Sequence, residues 1–585
     1  MTFEDSFSFE AILGDLVRLR MRSRRKDADG RTPEPYCFVR DGEERGRMRR
    51  LDVSGLLPPR REWNRYRAGV RARVGKDPAV VRRWAILRAV NRLRRDGTLA
   101  DFRWGQKLLV FVEEVQRRVT SENLAFVPPR PIKIVKGRKN GQPEYREVAS
   151  FDSVSDRVIL SRLTAYVRDR LEGVLTRSCY SFRRDGRITY QTALEDLKRY
   201  RAKFSVGSLF VGECDIQKFF DNISHEVVRA RWEASGLFDP AARNVLDAYL
   251  KAYAASEEGG RHGIPQGGSL STVLANLVLA VADAAVAKVD DGQLFYARFC
   301  DDVVFVHPKE EVCRRAMAAY ENALKELDLP MHPVRSFVYR PLDGTPTDFY
   351  ELKSKGPFRW FAAAPGEGNR APWLSFLGSQ IRFDGETRIR KESIERHIRA
   401  LGRVTAEVVK AIKKGEKGEV DVSNPGEAVK WFCRFRNRLI AKGVGHVKAR
   451  ERGICWAGAF PAMTFCADAK RQMRRLDRVR EGMLTKVWQT LLAREKVELG
   501  RQKVAVAEDR SVPPVLVGQI QALLSESWLQ DEDSRPRYKG RPYSYFGFLK
   551  QSARRAVGER DAEEVRVHVD GVPQGDLEDD ARVTL

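Results

Sequence analysis

Two adjacent aspartates, Asp301 and Asp302, interrupt an otherwise apolar part of the chain. Apolar stretches at residues 294–299 and 303–306 flank the pair, and this pattern predicts a strand–turn–strand hairpin with both acids at its tip. Neighbouring carboxylates repel each other unless cations neutralise them, and Mg²⁺ binds one or two carboxylates together with substrate phosphates. An Asp-Asp pair is also typical of a solvated turn, so a metal site requires a further acid.

That further acid is Asp215. It follows the apolar, strand-like residues 204–211 and therefore falls at the end of a predicted strand. We expect it to meet the hairpin tip across a sheet and to complete a two-metal site. Such a site activates an attacking oxygen and stabilises the leaving oxygen during phosphoryl transfer. The alternative role of Asp215 is to cap the helix that follows it.

A glycine-rich turn lies between the two acidic segments and leads into an apolar helix, at residues 263–277. Glycine allows the backbone to approach a nucleotide or a template strand closely. A Gly-Pro turn before any other helix would look partly similar. The turn is therefore informative mainly through its order relative to the acids.

These three elements, in this order, resemble the palm of a reverse transcriptase. Residues 215–221 resemble the first palm motif, residues 263–276 the template-grip motif, and residues 299–302 the Tyr-Ala-Asp-Asp box. The likeness is to prokaryotic enzymes of the group II intron, retron and abortive-infection types. Further segments extend it over residues 125–400: Arg146, 155–157, 179–183 with Gly186, 330–332 with 335–336, and 376–378.

The sequence departs from the family pattern at three places. The box begins with Phe299-Cys300 instead of Tyr-Ala, Thr272 replaces a usual Pro, and Arg335 stands where Lys is common. All three acids are kept. The variant box points to a divergent, defence-associated or abortive-infection reverse transcriptase.

The resemblance implies an α+β fold: a right-hand polymerase with fingers, an antiparallel-sheet palm and a helical thumb, with helical extensions at both ends. The predicted domains are a basic helical N-terminal extension (1–120), fingers and palm (121–385), a thumb (386–480), a helical C-terminal extension (481–558) and an acidic, flexible tail (559–585). Residues 341–371 are rich in Gly and Pro and are interpreted as an irregular insertion.

The resemblance also implies the metal ligands. Two Mg²⁺ ions, which Mn²⁺ can replace, would be held by Asp215 and Asp301 with the assistance of Asp302. The carbonyl of Ile216 is a further implied ligand.

The remaining site residues are implied in the same way. Phe220 occupies the steric-gate position, five residues after Asp215, and would exclude a 2′-hydroxyl; the alternative is a core Phe, which suits Phe219 better. The fingers would clamp the triphosphate through Arg146, with Lys136 or Lys139 as further candidates. Two more pairs complete the implied site. Gln266 and Gly267 would approach the nucleotide or template base. Leu377 and Gly378 would position the primer.

Charge and composition agree with a nucleic-acid enzyme. Lys and Arg number 106 against 80 Asp and Glu, a net charge of +26, so a polyanion is the expected partner. The expected partners are an RNA template, a DNA product and dNTPs. A structured non-coding RNA is a candidate for the template. An accessory defence protein and a homo-oligomer are further candidates. No apolar run approaches the ~20 residues of a membrane-spanning helix, so no membrane partner is expected.

The cellular compartment follows from the cysteines and the N-terminus. The eight cysteines are scattered and form no Cys-x-x-Cys pair, which is typical of a reducing compartment. The first ten residues are mixed and acidic, unlike a signal peptide. Cytoplasmic localisation is therefore expected.

Basic helices flank the palm on both sides. Apolar residues spaced three to four apart predict amphipathic helices near Trp84 and again after Ile394. Their arginines are typical of a solvated helix face, but in a polymerase they would hold RNA through its phosphates. Arg388, Arg390 and Lys391, at the start of the thumb, are the predicted contacts to the template–product duplex.

The sequence therefore predicts an RNA-directed DNA polymerase of bacterial antiviral defence. A template-independent or protein-primed DNA polymerase of the abortive-infection type is the alternative, with Tyr538, Tyr543 and Tyr545 as candidate priming hydroxyls. A catalytically silent nucleic-acid-binding scaffold is a third hypothesis. The retention of three acids argues against that scaffold.

Overall fold

The structure is a computed structural model of the chain. It describes residues 2–23, 38–40, 43–46, 53–74, 78–139, 142–204, 207–256, 262–337, 348–362, 372–414, 432, 435–436, 439, 463–464, 466–505, 545–546 and 549. The helices are α1 (Phe9–Ser23), α2 (Arg60–Trp63), α3 (Arg67–Val74), α4 (Pro78–Arg95), α5 (Arg103–Thr120), α6 (Val154–Leu171), α7 (Tyr190–Ala202), α8 (Phe219–Asn222), α9 (His225–Ser235), α10 (Pro240–Ala254), α11 (Ser269–Val289), α12 (Glu310–Glu326), α13 (Lys391–Lys414) and α14 (Ala467–Ala505). The strands are β1 (Phe38–Arg40), β2 (Glu43–Gly46), β3 (Arg130–Lys139), β4 (Gln142–Ser150), β5 (Ser208–Cys214), β6 (Phe295–Phe299), β7 (Asp302–His307), β8 (Val334–Arg335), β9 (Ser354–Phe361), β10 (Leu374–Phe376), β11 (Ser379–Ile381) and β12 (Thr387–Ile389).

A five-stranded sheet in the order β6-β7-β5-β9-β8 forms the palm. Neighbouring strands run antiparallel, except for β8 and β9, which are parallel. Because β5 pairs with β7, the strand that ends before Asp215 lies beside the strand that begins at Asp302. The expected palm fold of mixed α and β content is confirmed.

Each face of this sheet is covered by a separate hydrophobic core. Val303 and Phe305 of β7 enter a large core with α6, α11 and α12. Val304 and Val306, which point to the other face, pack with α7 and the β10–β11 hairpin. This alternation is the period-2 pattern of a strand that is buried on both faces.

Strand β9 corrects the sequence interpretation. Residues 341–371 were expected to be irregular, but 354–361 of that range form a strand beside β5. Gly356 and Pro357 suggested a break; they lie where the pairing shifts register, opposite the segment between Val211 and Glu213. A bulge accommodates Pro because the extra residue makes no ladder hydrogen bond.

Helix α11 corrects a second expectation. It has 21 residues and is apolar enough, by length and composition, to cross a membrane, so the statement that no apolar run approaches spanning length is wrong. The helix is central to the palm, and 67% of its most apolar window is buried inside the protein. A core helix passes the same test, and the apolar surface of α11 is used in protein packing.

The fingers contain the antiparallel β3–β4 hairpin, in which Arg130 pairs with Ser150 and Lys139 with Gln142. The N-terminal helices join this region through α1, which packs on α4 and α6, and through α5, which packs on α6 and α10. A small hairpin, β1–β2, lies against β3 and was not indicated by the sequence.

The predicted thumb contains α13, which packs along α14. The predicted apolar spacing is buried here, with Leu401, Val404 and Val408 in one core. Helix α14 runs without a break through residues 480 and 481, where the sequence predicted a boundary between thumb and C-terminal extension. Tyr538, Tyr543 and the acidic tail 559–585 lie outside the described residues.

Candidate active site

The acid pair lies at the turn between β6 and β7. Phe299 pairs with Asp302, so Cys300 and Asp301 form the turn itself. Cys300 is buried and has a φ of 57°, a left-handed conformation that favours glycine. A non-glycine residue in this region stores backbone strain, and such strain is frequent at functional sites.

The fully buried Arg298 supports this turn through hydrogen bonds. Arg298 donates from Nε and Nη2 to the carboxylate of Asp283 on α11, at 2.7 and 2.6 Å. Its Nη1 donates to Asn276 Oδ1 at 3.1 Å and to the carbonyl of Cys300 at 3.4 Å. A buried charge is stable only when it is paired and hydrogen-bonded. This network therefore connects the turn to helix α11.

The same network reaches the fingers. Asn276 donates from Nδ2 to the carbonyl of Ser181 at 2.7 Å, and Ser181 Oγ bonds back to Asn276 Oδ1 at 2.9 Å. The backbone of Arg298 also bonds on both sides, to the carbonyl of Ser178 and from the N–H of Tyr180, at 2.8 and 2.9 Å. Hydrogen bonds therefore join the palm strand β6, helix α11 and the segment around Ser181 at the turn that carries Asp301.

Sequence reasoning missed Arg298 and Asp283. Both are charged residues inside apolar stretches, and that is the signal that was available. A charged residue in an apolar run needs a partner when the run is buried. The identity of the partner depends on tertiary contact and is not encoded in spacing.

Asp215 lies one residue past the end of β5, and its backbone is fixed on both sides. Its N–H donates to Ser354 Oγ at 3.0 Å, and its carbonyl accepts from the His332 N–H at 2.9 Å. Its carboxylate lies 3.2 Å from Lys353 Nζ and 3.7 Å from His332 Nε2. Lys353 was not singled out from the sequence, because it lies in the range interpreted as an insertion.

The register brings the acids together. Cys214 pairs with Val303, so continuing the ladder by one residue places Asp215 opposite Asp302. Opposite residues of an antiparallel pair project from the same face. Desolvation, followed by repulsion from Asp301 and Asp215, raises the pKa of the Asp302 carboxyl to about 7, while Arg390 and Lys353 act to lower it. The cluster therefore carries a surplus of negative charge that a bound cation would neutralise.

The donor set suits a cation that arrives with a substrate. Among the described residues, no three His, Cys, Asp or Glu side chains are arranged to hold a metal ion by themselves. Mg²⁺ commonly keeps several waters and binds through one or two carboxylates plus substrate phosphates. The crowded carboxylates of Asp215, Asp301 and Asp302 fit that mode of binding.

Ile216 is positioned by an isolated antiparallel bridge to Met331. The two bonds of this bridge use the Asp215 carbonyl and the Gln217 N–H, at 2.9 and 2.8 Å. The carbonyl of Ile216 takes no part in the bridge. Its role as a metal ligand stays a prediction.

Phe219 and Phe220 differ in burial, and the gate role of Phe220 stays a prediction because Phe220 packs against the same core that contains Phe219. Phe219 is 3% exposed and lies in the core, whereas Phe220 is half-buried with its ring 5.2 Å from that of Phe219. The Phe220 carbonyl accepts from the N–H of Ile264 at 2.8 Å, which joins the gate candidate to the glycine-rich turn.

The glycine-rich turn packs against the fingers hairpin. The carbonyl of Gln266 accepts from the N–H of Ala149 at 3.2 Å, and its Nε2 donates to Asp221 Oδ1 at 3.2 Å. Gly267 has a φ of 89°, and a Cβ there would overlap Val148 Cγ1. The structure therefore accounts for this glycine through contact with β4, and a closer approach to the nucleotide stays a prediction.

The predicted clamp residues lie on the fingers hairpin. Arg146 is in β4, opposite Ile134 of β3, and both Lys136 and Lys139 are in β3. Arg335, which stands in the place of the usual Lys, is in β8 and pairs with Asp348.

Leu377 and Gly378 join β10 to β11 with φ values of 48° and 78°. Two consecutive positive φ angles in a two-residue hairpin loop are the type I′ pattern. The Gly378 carbonyl accepts from the Arg390 N–H at 3.0 Å, so the predicted primer-grip turn is hydrogen-bonded to the residue that precedes α13.

Two sequence hypotheses change at the thumb. Arg388 was expected to contact nucleic acid, but it bonds to Gln380 Oε1 at 2.9 Å and stacks its guanidinium 4.0 Å from the Trp373 ring centroid. Tyr545 was a candidate priming residue, but it is 1% exposed, burial raises its pKa, and its hydroxyl lies 2.8 Å from His397 Nε2. Arg388 therefore has a structural role, and Tyr545 is neither on the surface nor accessible as a nucleophile.

Solved structures that resemble this chain include three telomerases. The chain is 12% identical to apo telomerase from Candida tropicalis truncated from its C-terminal domain, with 45% of this chain and 55% of that chain covered and a TM-score of 0.31. It is 10% identical to Candida albicans telomerase in complex with a TWJ fragment of telomeric RNA, with 76% and 78% covered and a TM-score of 0.33. Apo telomerase from Candida tropicalis gives 9% identity, 79% and 83% coverage and a TM-score of 0.33. These scores are too low to support an argument about function.

A sequence match is more informative. No curated protein matches the chain. The family model described as reverse transcriptase (RNA-dependent DNA polymerase) matches residues 138–378. This range contains the three acids, the glycine-rich turn and the Leu377-Gly378 turn. Residues 138–378 are thus similar to a reverse transcriptase domain, the nucleotidyltransferase domain of RNA-directed DNA polymerases.

Proposed function

We propose that this protein copies an RNA template into DNA by adding dNTPs to a 3′-hydroxyl, with two metal ions at Asp215, Asp301 and Asp302. The observation that carries the proposal is the antiparallel register that places Asp215 opposite Asp302, beside Asp301. Carboxylates that lie together on adjacent strands of a palm sheet can hold the two metal ions of a phosphoryl-transfer site when substrate phosphates complete the coordination.

The three acids, with the Ile216 carbonyl, would hold two Mg²⁺ ions, which Mn²⁺ can replace. When bound, the ions lower the pKa of the primer hydroxyl and neutralise charge on the leaving pyrophosphate. The protein contributes fixed geometry: Asp215 is held through its own N–H and carbonyl, and the Asp301 turn is held through Arg298. Preorganised charge of this kind costs no rearrangement during the reaction.

Two features of the chain suit a deoxynucleoside triphosphate. Lys353 pairs with Asp215, so its side chain can transfer to a phosphate oxygen when a cation neutralises that carboxylate. Phe220 is half-buried beside the glycine-rich turn, where its ring would lie under the sugar and exclude a 2′-hydroxyl. Arg146 of the fingers hairpin would bind the triphosphate.

The biological setting that we propose is bacterial antiviral defence, in the cytoplasm. The Phe-Cys variant of the box supports this assignment, because it departs from the pattern of common intron and retron enzymes. A structured non-coding RNA as template, and an accessory defence protein or a second copy of the chain as partner, are part of the same proposal.

Template use is the property to test, because a template-independent or protein-primed polymerase is the alternative. The purified protein is given a homopolymeric RNA template with a DNA primer and, separately, each of the four dNTPs. The proposal predicts incorporation of the complementary dNTP alone, and only with Mg²⁺ or Mn²⁺. Equal incorporation of all four, or incorporation without the RNA, would support the alternative.

A further inference from the structure

The segment that contains α2, α3 and α4 is unusually rich in arginine. Residues 60–95 hold twelve arginines and one lysine against two acids, Glu62 and Asp77. Glu62 is buried and accepts a hydrogen bond from Trp104 Nε1 at 2.8 Å. Its charge therefore does little to balance the arginines at the surface.

The helices turn one face outward. Helix α4 buries Val81, Ala85 and Val90 against the core. On its opposite side, positions 84, 88, 91 and 95 are all exposed, and their spacing of three to four residues places them in one stripe. Trp84 begins this stripe and is 38% exposed, which is unusual for a tryptophan.

Helix α3 borders this stripe. A Cβ added at Gly69 of α3 would lie 3.6 Å from Arg88 Nη1, so the Arg88 side chain reaches across to α3. Arg73 is exposed and lies four residues after Gly69, on the same side of α3, whereas Arg67 and Arg71 project from the opposite side. We name the combined surface the α3–α4 face, and its residues are Arg73, Trp84, Arg88 and Arg95.

The arginines of this face are not balanced by the acids that the structure describes. None of Arg73, Arg88 and Arg95 has an acidic partner in that part of the chain, whereas neighbouring Arg92 pairs with Asp96 at 2.8 Å. Arg88 and Arg92 are four residues apart, and like charges at this spacing destabilise a helix. A solvated helix face usually alternates charges, so this arrangement indicates an external polyanion.

We propose that the α3–α4 face binds single-stranded RNA, with its arginines on the phosphates and Trp84 stacked on an unpaired base. The inference rests on the proposed function for its choice of RNA, the polymer that an RNA-templated enzyme must already hold. Arginines that track a backbone, together with an exposed aromatic ring, are the combination that binds single strands without sequence preference.

A series of packed helices connects the face to the active site. Helix α4 packs on α1, α1 packs on α6, and α6 packs on α11, whose Asn276 and Asp283 hold Arg298 behind the acids. RNA bound at the face would therefore be held in a fixed relation to the polymerase centre while lying outside it.

The test is the affinity of the full-length protein for a labelled 30-nucleotide RNA at several salt concentrations. The variant carries Arg73→Gln, Arg88→Gln and Arg95→Gln. The matched control carries Arg199→Gln, Arg314→Gln and Lys325→Gln, which remove the same charge from exposed basic side chains that pair with acids in their own helices.

The slope of log K against log salt should fall in magnitude by up to ~0.7 for each RNA phosphate that the variant no longer neutralises. For three phosphates this weakens binding by up to about 100-fold at 0.1 M salt. Trp84→Ala should raise Kd by at least about fivefold with an unchanged slope, because it removes stacking and no charge. Equal Kd and slope for the face variant and the control would overturn the proposal.

Chemical protection provides a second measurement that needs no variant. Phenylglyoxal modifies accessible arginines, and bound RNA should protect Arg73, Arg88 and Arg95 but not Arg314. Unprotected arginines under saturating RNA would also overturn the proposal. Loss of binding to phosphatidylserine vesicles by the face variant, with RNA affinity unchanged, would assign the face to membranes instead.

The outcome is separable from the proposed function. Asp215→Asn should bind the RNA with wild-type Kd and slope, because the face contains none of the metal ligands. If the protein does not polymerise, binding at the face remains measurable. If the face does not bind RNA, polymerisation of a short primer–template remains measurable.

Discussion

The buried pair of Arg298 and Asp283 gives a sharp prediction about stability. Asp283→Asn keeps the size of the side chain and removes its charge. In the structure the carboxylate of Asp283 accepts two bonds from Arg298 and a third from the Tyr296 hydroxyl at 2.6 Å. The substitution therefore leaves the Arg298 guanidinium, which is 0% exposed, without a compensating charge.

The magnitude follows from the burial of both partners. Removing one partner of a buried ion pair costs about 3–5 kcal/mol, because the remaining charge stays desolvated. The Asn oxygen still accepts one of the bonds, so we expect a loss near the lower end, about 3 kcal/mol of the free energy of unfolding.

Urea unfolding of the full-length protein, followed by tryptophan fluorescence, measures this loss. The matched control is Asp247→Asn, since Asp247 also pairs with two arginines but its side chain is 36% exposed. Solvent-screened pairs contribute ~0–1 kcal/mol, so the control should be nearly neutral. A loss of less than about 1 kcal/mol for Asp283→Asn would refute the view that this pair supports the active-site turn.

A second variant separates stability from positioning. Asp283→Leu combined with Arg298→Met replaces the pair with apolar side chains, and such replacements are often neutral for stability. Because the carbonyl of Cys300 then loses its donor, we expect a folded protein with lower kcat and little change in the KM for dNTPs. Wild-type kcat in the folded double variant would contradict the positioning role.

Three further predictions concern the substrate and the fingers contact. Phe220→Val should raise ribonucleotide incorporation relative to deoxyribonucleotide incorporation, measured as a ratio of kcat/KM values, and an unchanged ratio in an active variant would remove Phe220 from the gate. Lys353→Met should raise the KM for dNTPs by about tenfold with a smaller change in kcat, because a charge-assisted bond to phosphate contributes about 1.4 kcal/mol; Lys325→Met is the matched control, and equal KM values for the two variants would contradict the assignment. Gly267→Ala should lower the free energy of unfolding by about 1–3 kcal/mol through its positive φ and its overlap with Val148; Gly292→Ala, which has a positive φ but open space, isolates the overlap, and equal losses would contradict it.

The sequence predicted the features that depend on local pattern. The acids at Asp301 and Asp302 were placed at a hairpin tip because apolar stretches flank them on both sides, and the structure has that hairpin. Asp215 was placed at a strand end for the same reason. The thumb helix was predicted from apolar spacing, which the structure buries.

The features that were missed depend on contacts between distant segments. Strand β9 contains Gly356 and Pro357, which look like a break until it is known that they form a bulge opposite Gly212 of β5. Lys355 in that strand is buried because it pairs with Glu213, 142 residues away. Burial of Tyr545 likewise depends on His397, 148 residues earlier in the chain. No local pattern predicts such pairs, because each side chain alone looks polar and exposed.

The most direct measurement of the central claim is the single-turnover rate of dNTP addition on an RNA template by Asp215→Asn and Asp301→Asn, with Asp101→Asn as the control. Asp101 is exposed and lies in a short turn of the N-terminal region. Loss of a metal carboxylate removes several kcal/mol of charge stabilisation, so the first two variants should be at least about 1000-fold slower. The control should match the wild type, and all three should unfold at the same urea concentration. A rate within about tenfold of the wild type for either active-site variant would contradict the assignment of these acids as the metal ligands of the polymerase.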